Sequence, residues 1–319
     1  MIKPLEHIPT LADIQATFKE IQPLIHRTPV MTSNLLDRMS GTHLFFKCEN
    51  FQKVGAFKMR GAASAAMRLT SEERARGLAT HSSGNHGQAV ARAAQLLGIP
   101  AFIVMPENAP EVKRQAAQSY GAKIISCAPT LASREATLQK IVAETGATFI
   151  HPFNNYDVIA GQATAALELM EDVSGLDVVM APVGGGGLMS GTALMVKYLS
   201  SSVKAIGAEP KEVDDASRSL QAGRIMDNET TNTVADGLRT TLGEKTFEIL
   251  SKELEEIITV EEEEIIQAMR LIWERMKIII EASCAVPLAA VLKNKERFKN
   301  QRIGIILTGG NVDLGNLPF

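Results

Sequence analysis

Cysteine is scarce in this chain. Cys48, Cys127 and Cys284 are scattered over 319 residues. An odd, dispersed set excludes a disulfide framework, offers no zinc spacing and fits a reducing cytoplasm. Long apolar runs are missing too: none approaches the roughly 18 residues of a membrane-spanning helix. The first residues, Met1-Ile2-Lys3-Pro4-Leu5, hold no apolar signal core. A cytoplasmic protein without a membrane partner is therefore expected. Nor does one sign of charge dominate, since 36 acidic against 33 basic residues leave a net charge of -3. With no basic run and no RNA-binding aromatic motif, a nucleic-acid partner is not expected. Repeats and low-complexity linkers are absent. What is there is globular: 45% hydrophobic residues in a length that accommodates two domains or one large one.

Short apolar strands alternate with helices. A strand at 44–48 leads to a small-residue helix at 62–69. Residues 78–152 then hold four β/α units, with strands at 78–81, 101–105, 123–126 and 148–150 and helices at 85–97, 109–120 and 131–144. That is enough for a small parallel sheet. The pattern restarts with a helix at 159–171, a buried strand at 178–183, a helix at 188–198 and a strand at 204–208. Thr259-Val260-Glu261-Glu262 reads as a helix start with a capping box. Helices at 262–279 and 285–292 and a strand at 302–307 close the chain, with Trp273 on a core face.

Four stretches carry chemistry. In Phe51-Gln52-Lys53-Val54-Gly55-Ala56-Phe57-Lys58-Met59-Arg60-Gly61-Ala62, Lys58 stands near a helix N-terminus between an aromatic residue and glycines. The positive dipole end and desolvation both lower a lysine pKa and make the amine a usable nucleophile or base. Gly184-Gly185-Gly186-Gly187-Leu188 joins a buried strand to a helix, which makes a ring of backbone N–H groups suited to phosphate. It lacks the Lys-Ser/Thr of a P-loop and the spacing of a dinucleotide fingerprint. His81-Ser82-Ser83-Gly84-Asn85-His86-Gly87-Gln88, at a second strand-to-helix junction, gathers hydroxyls, an amide and an imidazole that suit a carboxylate and an acid/base hydroxyl. Thr308-Gly309-Gly310-Asn311 ends the last strand, where an open α/β sheet places its ligand crevice.

Taken together and in order, these stretches resemble the fold-type II pyridoxal-phosphate enzymes of the serine/threonine dehydratase and serine racemase group. Lys47 to Ala62, Ser82 to Gln88, Val158-Ile159-Ala160-Gly161-Gln162, Gly184 to Leu188 and Thr308 to Asp313 carry the likeness. The resemblance implies an α/β fold of two open parallel-sheet domains, like the tryptophan synthase β chain, with the site in the cleft between them. Residues 1–77 and 153–319 would form the large domain and 78–152 a small mobile one. Lys58 matches the Schiff-base lysine and Phe57 the residue packed on the cofactor ring. Asn85 matches the ligand of the ring's phenolic oxygen, Gly184, Gly185, Gly186, Gly187 and Leu188 the phosphate cradle, and Thr308 the hydroxyl facing the pyridine nitrogen. Ser82, Ser83, Asn85 and His86 match the carboxylate-binding loop, with Ser83 also the acid/base on the face opposite the lysine. Glu281 takes a ring-side place, although Ala282 follows it where many relatives have proline. Arg134 and Thr240 are further substrate-side candidates, and Arg134 or Arg239 would meet a second substrate carboxylate.

The same likeness implies dehydration of L-serine or L-threonine to a 2-oxo acid and ammonia, with serine racemisation at the same site and a homodimeric assembly. A hydroxyl at the ring nitrogen makes the ring a weaker electron sink than an aspartate would, which suits rapid loss of a β-hydroxyl. Glu209-Pro210-Lys211-Glu212-Val213-Asp214-Asp215 resembles the divalent-metal site of serine racemases, where Glu209, Asp215 and the Val213 carbonyl would hold Mg²⁺ or Ca²⁺. The chain ends soon after Thr308, so isoleucine feedback through an added effector domain is not expected. Dehydration of 3-hydroxyaspartate, a cysteine-synthase-like replacement and a non-catalytic cofactor-binding regulator stand as the other readings. The Ser82-Ser83-Gly84-Asn85 loop speaks against the second, and retention of Lys58 and Ser83 against the third.

Overall fold

The computed structural model describes residues 3–109 and 111–319. The chain begins with α1 (Leu11–Ile21), β1 (Val30–Met31), α2 (Asn34–Ser40), β2 (His43–Cys48), α3 (Lys58–Met67) and α4 (Ser71–Arg76). There follow β3 (Leu78–His81), α5 (Asn85–Leu97), β4 (Ala101–Pro106), α6 (Glu111–Ser119), β5 (Lys123–Cys127), α7 (Leu131–Thr145) and β6 (Thr148–Phe149). The remainder is α8 (Tyr156–Asp172), β7 (Val178–Pro182), α9 (Gly187–Leu199), β8 (Lys204–Pro210), α10 (Asp215–Ala222), α11 (Glu244–Glu253), β9 (Glu256–Val260), α12 (Glu262–Met276), α13 (Ala282–Lys293), α14 (Lys295–Phe298) and β10 (Arg302–Leu307).

These strands form two sheets, as expected. One has six strands in the order β1-β2-β10-β7-β8-β9, parallel except for the short β1, which runs antiparallel to β2 at the edge. The other has four parallel strands, β5-β4-β3-β6. β7 is buried throughout and β10 nearly so, the pattern of central strands covered by helices on both faces. Strand order matters for function. β10 lies between β2 and β7, so its C-terminal end stands between the exits of both.

Small residues let the helices behind these exits close up. A Cβ on Gly161 of α8 would lie 2.5 Å from the Arg60 carbonyl oxygen of α3. Beneath α3 is a buried ion cluster. Arg60 pairs with Glu49 at 2.7 Å and Glu168 at 2.8 Å, and Lys47 meets Glu168 at 2.7 Å. It anchors α3 two residues beyond Lys58.

Several expected boundaries move. Thr259 and Val260 belong to β9, and α12 starts after them, with Glu261 as cap in a box with Glu264. The helix stops at Met276 because Lys277 turns left-handed at φ 60°, and α13 begins at Ala282, three residues before its expected start. The helix expected at 109–120 is α6, and Pro110 within that range lies outside the described residues. β9, α2, α4 and α11 were not expected at all.

Candidate active site

The lysine loop and the end of β10 are zipped together. Phe57 N donates to Thr308 O at 2.9 Å, Gly310 N donates to Gly55 O at 2.9 Å, and Ala56 bridges Gly309. Val54 and Gly55 make the turn with φ of 59° and 67°. Lys58 is thereby fixed in register with Thr308. Its Nζ donates to Pro152 O at 2.9 Å and lies 5.1 Å from the Phe57 ring centre. Loss of surrounding water pushes the amine down to about 8, with Glu281 opposing the shift.

Phe153, next to Pro152, packs on the glycine run. A Cβ on Gly185 would come within 2.2 Å of the Phe153 ring. Gly186 is left-handed at φ 84°, with Leu242 and Thr246 against it. Among the described residues, nothing accepts a hydrogen bond from the backbone N–H groups of Gly184, Gly185, Gly186, Gly187 or Leu188. Five free donors at the N-terminus of α9 form an anion cradle.

The serine loop comes from the other sheet. Ser82 N donates to Val104 O at 3.1 Å and Gly84 N to Ser82 Oγ at 3.3 Å, leaving Ser83 half-buried. Asn85 crosses between the two sheets. Its Nδ2 donates to the Glu281 carboxylate at 2.9 and 3.1 Å, and its Oδ1 accepts from Asn311 at 2.8 Å. Burial, then Asp236, pushes Glu281 up to about 7. His86 Nε2 faces Ile150 O at 2.9 Å, and a carbonyl only accepts, so Nε2 carries the proton. Its buried Nδ1 has no partner among the described residues. Burial and the nearby Lys58 push this imidazole down to about 3, so it is neutral. A neutral ring with a free lone pair accepts hydrogen bonds there and cannot attract a carboxylate as a cation.

Sequence reasoning gave no role to His151, Phe149, Phe153, Asn311 or Cys284. His151 Nδ1 accepts from Asn154 N at 2.9 Å, and burial and then His81 push its pKa down to about 4. The rings of His81, Phe149, His151 and Phe153 follow one another at 4.7 to 5.9 Å. The available signal was His151-Pro152 at a strand exit. Asn311 reaches the site through a contact 226 residues away in sequence, and Cys284 through one 24 residues away, past α13, α14 and β10.

Other candidates stand apart. Arg134, in the first turn of α7, donates to Thr130 O at 3.4 Å and lies near enough to His81 to lower that ring's pKa. Thr240 is exposed, and Arg239 donates to Thr233 O at 2.6 Å. Neither Arg134 nor Thr240 bonds to the groups around Lys58. Glu209 accepts from Ala216 N at 3.1 Å and Ser217 N at 3.0 Å, and Asp215 accepts from Asn228 at 2.8 Å and Leu242 N at 3.1 Å. Burial and Asp215 raise Glu209 well above the usual range, and burial pushes Asp215 up to about 7. Among the described residues no group of three or more His, Cys, Asp or Glu converges as a metal site. Nor is any helix there long and apolar enough to cross a membrane.

An anion cradle, a desolvated lysine and a hydroxyl at a strand exit fit pyridoxal phosphate. The family model described as pyridoxal-phosphate dependent enzyme matches residues 21–309. The chain belongs to this family. It is 49% identical to a β-hydroxyaspartate dehydratase from Paracoccus denitrificans, over 98% of this chain and 99% of that one. The crystal structure of serine racemase from Dictyostelium discoideum superposes with a TM-score of 0.92 at 48% identity, covering 96% of this chain and 99% of that one. That of a threonine deaminase from T.th. gives a TM-score of 0.91 at 46% identity, again over 96% and 99%. The chain is therefore an enzyme of the dehydratase and racemase branch, with two parallel-sheet domains as in these structures.

Proposed function

We propose that this enzyme eliminates water from small β-hydroxy amino acids, L-serine and L-threonine above all, and racemises serine at the same site. The observation that carries the reading is the Lys58 amine, held down to about 8 beside a cradle of free N–H groups. Bound pyridoxal phosphate supplies the electron sink for the pair left when the α-proton departs. In this reading Gly184 to Leu188 bind its phosphate, Phe57 packs on its ring, Asn85 meets its phenolic oxygen with Glu281 alongside, and Thr308 faces its nitrogen. Lys58 would hold the cofactor's aldehyde carbon and, as a neutral amine near pH 8, would take the α-proton. Ser82, Ser83 and the N-terminus of α5 hold the carboxylate. Ser83 moves a proton on the opposite face, which yields the D-isomer. Loss of the β-hydroxyl instead leaves an enamine that hydrolyses to a 2-oxo acid and ammonia.

The small unit is taken as residues 78–152, mobile over the large one, 1–77 and 153–319. Glu209, Asp215 and the Val213 carbonyl are read as the site of a Mg²⁺ or Ca²⁺ ion, because two buried carboxylates without a buried cation are costly. A cytoplasmic homodimer completes the proposal, with the exposed Phe51 and Ile279, joined through Asn50 Nδ2 on Ile279 O, as apolar surface for the second copy. A second reading, dehydration of 3-hydroxyaspartate, is supported by Arg134 near the serine loop and by the Paracoccus relative.

The test is product analysis of the loaded enzyme with L-serine, D-serine, L-threonine and both 3-hydroxyaspartate diastereomers. Pyruvate and D-serine from L-serine support the first reading. Turnover confined to 3-hydroxyaspartate moves the assignment to the second, and no keto acid or D-isomer from any of them overturns both.

A further inference from the structure

Thr308 is not alone at the end of β10. Cys284, in the first turn of α13, is buried with its Sγ 3.2 Å from Thr308 Oγ1, 2.8 Å from Gly309 O and 2.9 Å from Gly309 N. Burial, then the Glu281 charge, raise its pKa, so it stays a thiol with one hydrogen to give. Gly309 N–H donates to the sulfur. The S–H then has two acceptors, Gly309 O and Thr308 Oγ1. Gly309 O already accepts from Glu281 N at 3.0 Å. Thr308 Oγ1 has no other partner among the described residues. Its backbone cannot turn away, because Thr308 O is held by Phe57 N at 2.9 Å.

Three hydrogen arrangements are open, and in the first the thiol donates to Gly309 O at 2.8 Å, a carbonyl that already accepts from Glu281 N, which leaves Thr308 Oγ1 accepting nothing. The other two concern the Cys284–Thr308 pair. If the Thr308 hydroxyl donates to sulfur, it shows lone pairs to the ring, and the ring nitrogen must bring its own proton. If the thiol donates to Thr308 Oγ1, the hydroxyl hydrogen is left for the ring nitrogen. Sulfur is a weak acceptor and a pyridine nitrogen a strong one, so the hydroxyl hydrogen goes to nitrogen. Gly309 O keeps its Glu281 partner, and every polar group is satisfied.

We propose that Cys284 is a positioning residue: its S–H donates to Thr308 Oγ1 and turns that hydroxyl toward the cofactor's ring nitrogen as a donor. This rests on the reading that Thr308 faces the ring nitrogen. The thiol thereby holds the ring in its unprotonated, weaker-sink form, the setting that favours elimination over prolonged storage of negative charge.

The test reads the thiol itself. S–H stretching bands fall in an otherwise empty infrared window, and three thiols contribute. Cys48 Sγ donates to Phe46 O, away from the cradle, and Cys127 sits at the end of β5. One band, assigned by its loss in Cys284→Ala, is expected to move when wild-type apoprotein is loaded with pyridoxal phosphate, and not to move in Thr308→Val. No moving band in wild type, or the same movement in Thr308→Val, overturns the proposal. Cys284→Ala is also expected to weaken pyridoxal-phosphate binding roughly two- to ten-fold, the worth of one hydrogen bond, and Cys284→Ser to restore it. An Ala variant that melts earlier yet binds cofactor as wild type, with its visible spectrum unchanged, marks a packing role and overturns it as well. Should Cys284→Ala not fold, the wild-type and Thr308→Val spectra still decide. If Thr308→Val leaves cofactor affinity and visible spectrum at wild-type values, the ring-nitrogen reading itself fails, separately from the thiol.

Discussion

At the residue scale, Lys58 and Ser83 have separable roles. Lys58→Ala is expected to lower keto-acid formation by more than a thousandfold, since a proton-transfer base alone is worth about 10²–10⁴-fold and the covalent link is lost with it. Its amine bonds to a single carbonyl, so the melting temperature of the apoprotein should stay near wild type. Retained activity above a thousandth would show that another group takes the α-proton. Ser83→Ala acts on one face. It is expected to abolish racemisation and dehydration of the D-isomer, measured by chiral chromatography, while leaving L-serine dehydration within a few-fold of wild type. Equal loss of both would make Ser83 a binding residue only. Ser83 is half-buried and its hydroxyl has no hydrogen-bond partner among the described residues, which leaves it free to turn.

At the scale of elements, each junction has its own mechanics. Gly185 and Gly84 both precede helices, yet only the first is crowded: a Cβ on Gly84 meets nothing within 4 Å. Gly185→Ala is expected to displace Phe153 and cost about 1–3 kcal/mol as overpacking, seen as weaker pyridoxal-phosphate binding and earlier melting. Gly84→Ala should change neither appreciably. α10 gives a pH-dependent prediction. Asp215 has a folded pKa of about 7 against 3.8 for the free side chain. Between those values the folded chain binds the proton more tightly, so this group's contribution to stability falls as pH rises from about 4 to about 7. A divalent cation removes that loss. The gain in melting temperature from Mg²⁺ or Ca²⁺ over EDTA is thus expected to grow across this window and to vanish in Asp215→Ala. His86 and His151, lowered to about 3 and about 4, act in the opposite sense over much of the same range, so the difference with and without metal is the quantity to measure. Because Asp215 holds Leu242 N and Leu242 packs on Gly186, EDTA should weaken cofactor binding too. Unchanged melting and affinity would leave Glu209 and Asp215 as a helix cap. The elements behind these predictions were legible to different degrees. The junctions at Lys58, Ser83 and Gly184 show in sequence because strand, turn chemistry and helix follow one another closely, and the one at Thr308 because a strand runs straight into Gly309-Gly310. β9 did not show, because Glu256-Ile257-Ile258-Thr259-Val260 runs into four glutamates that read as one helix start. Cys284 and Asn311 did not, because their place depends on how α13 and the end of β10 meet the lysine loop.

On the scale of the whole molecule, few side-chain pairs among the described residues tie the two sheets across the cleft. Asn85 with Glu281 and Asn311 is the inner one, and Lys113 of α6 with Asp236, at 3.2 Å, is the outer one. Both members of the outer pair are partly exposed, so it is worth no more than about 0.2–1 kcal/mol. Lys113→Ala is expected to raise KM by a few-fold at most at low salt, with no change in melting, and the difference should fade as ionic strength rises. A large loss of kcat instead would place Lys113 in the chemistry. The path of the chain through the smaller sheet has a consequence of another kind. Thr148 N donates to Gly77 O at 2.9 Å and Ile150 N to Ala79 O at 2.9 Å. The polypeptide therefore enters and leaves this layer at one doorway, and everything between is a cassette whose two ends already touch. A graft of this insert between relatives through a single pair of neighbouring splice points is therefore expected to fold, carrying the serine loop and Arg134 with it while Lys58, the glycine run and Thr308 stay with the host.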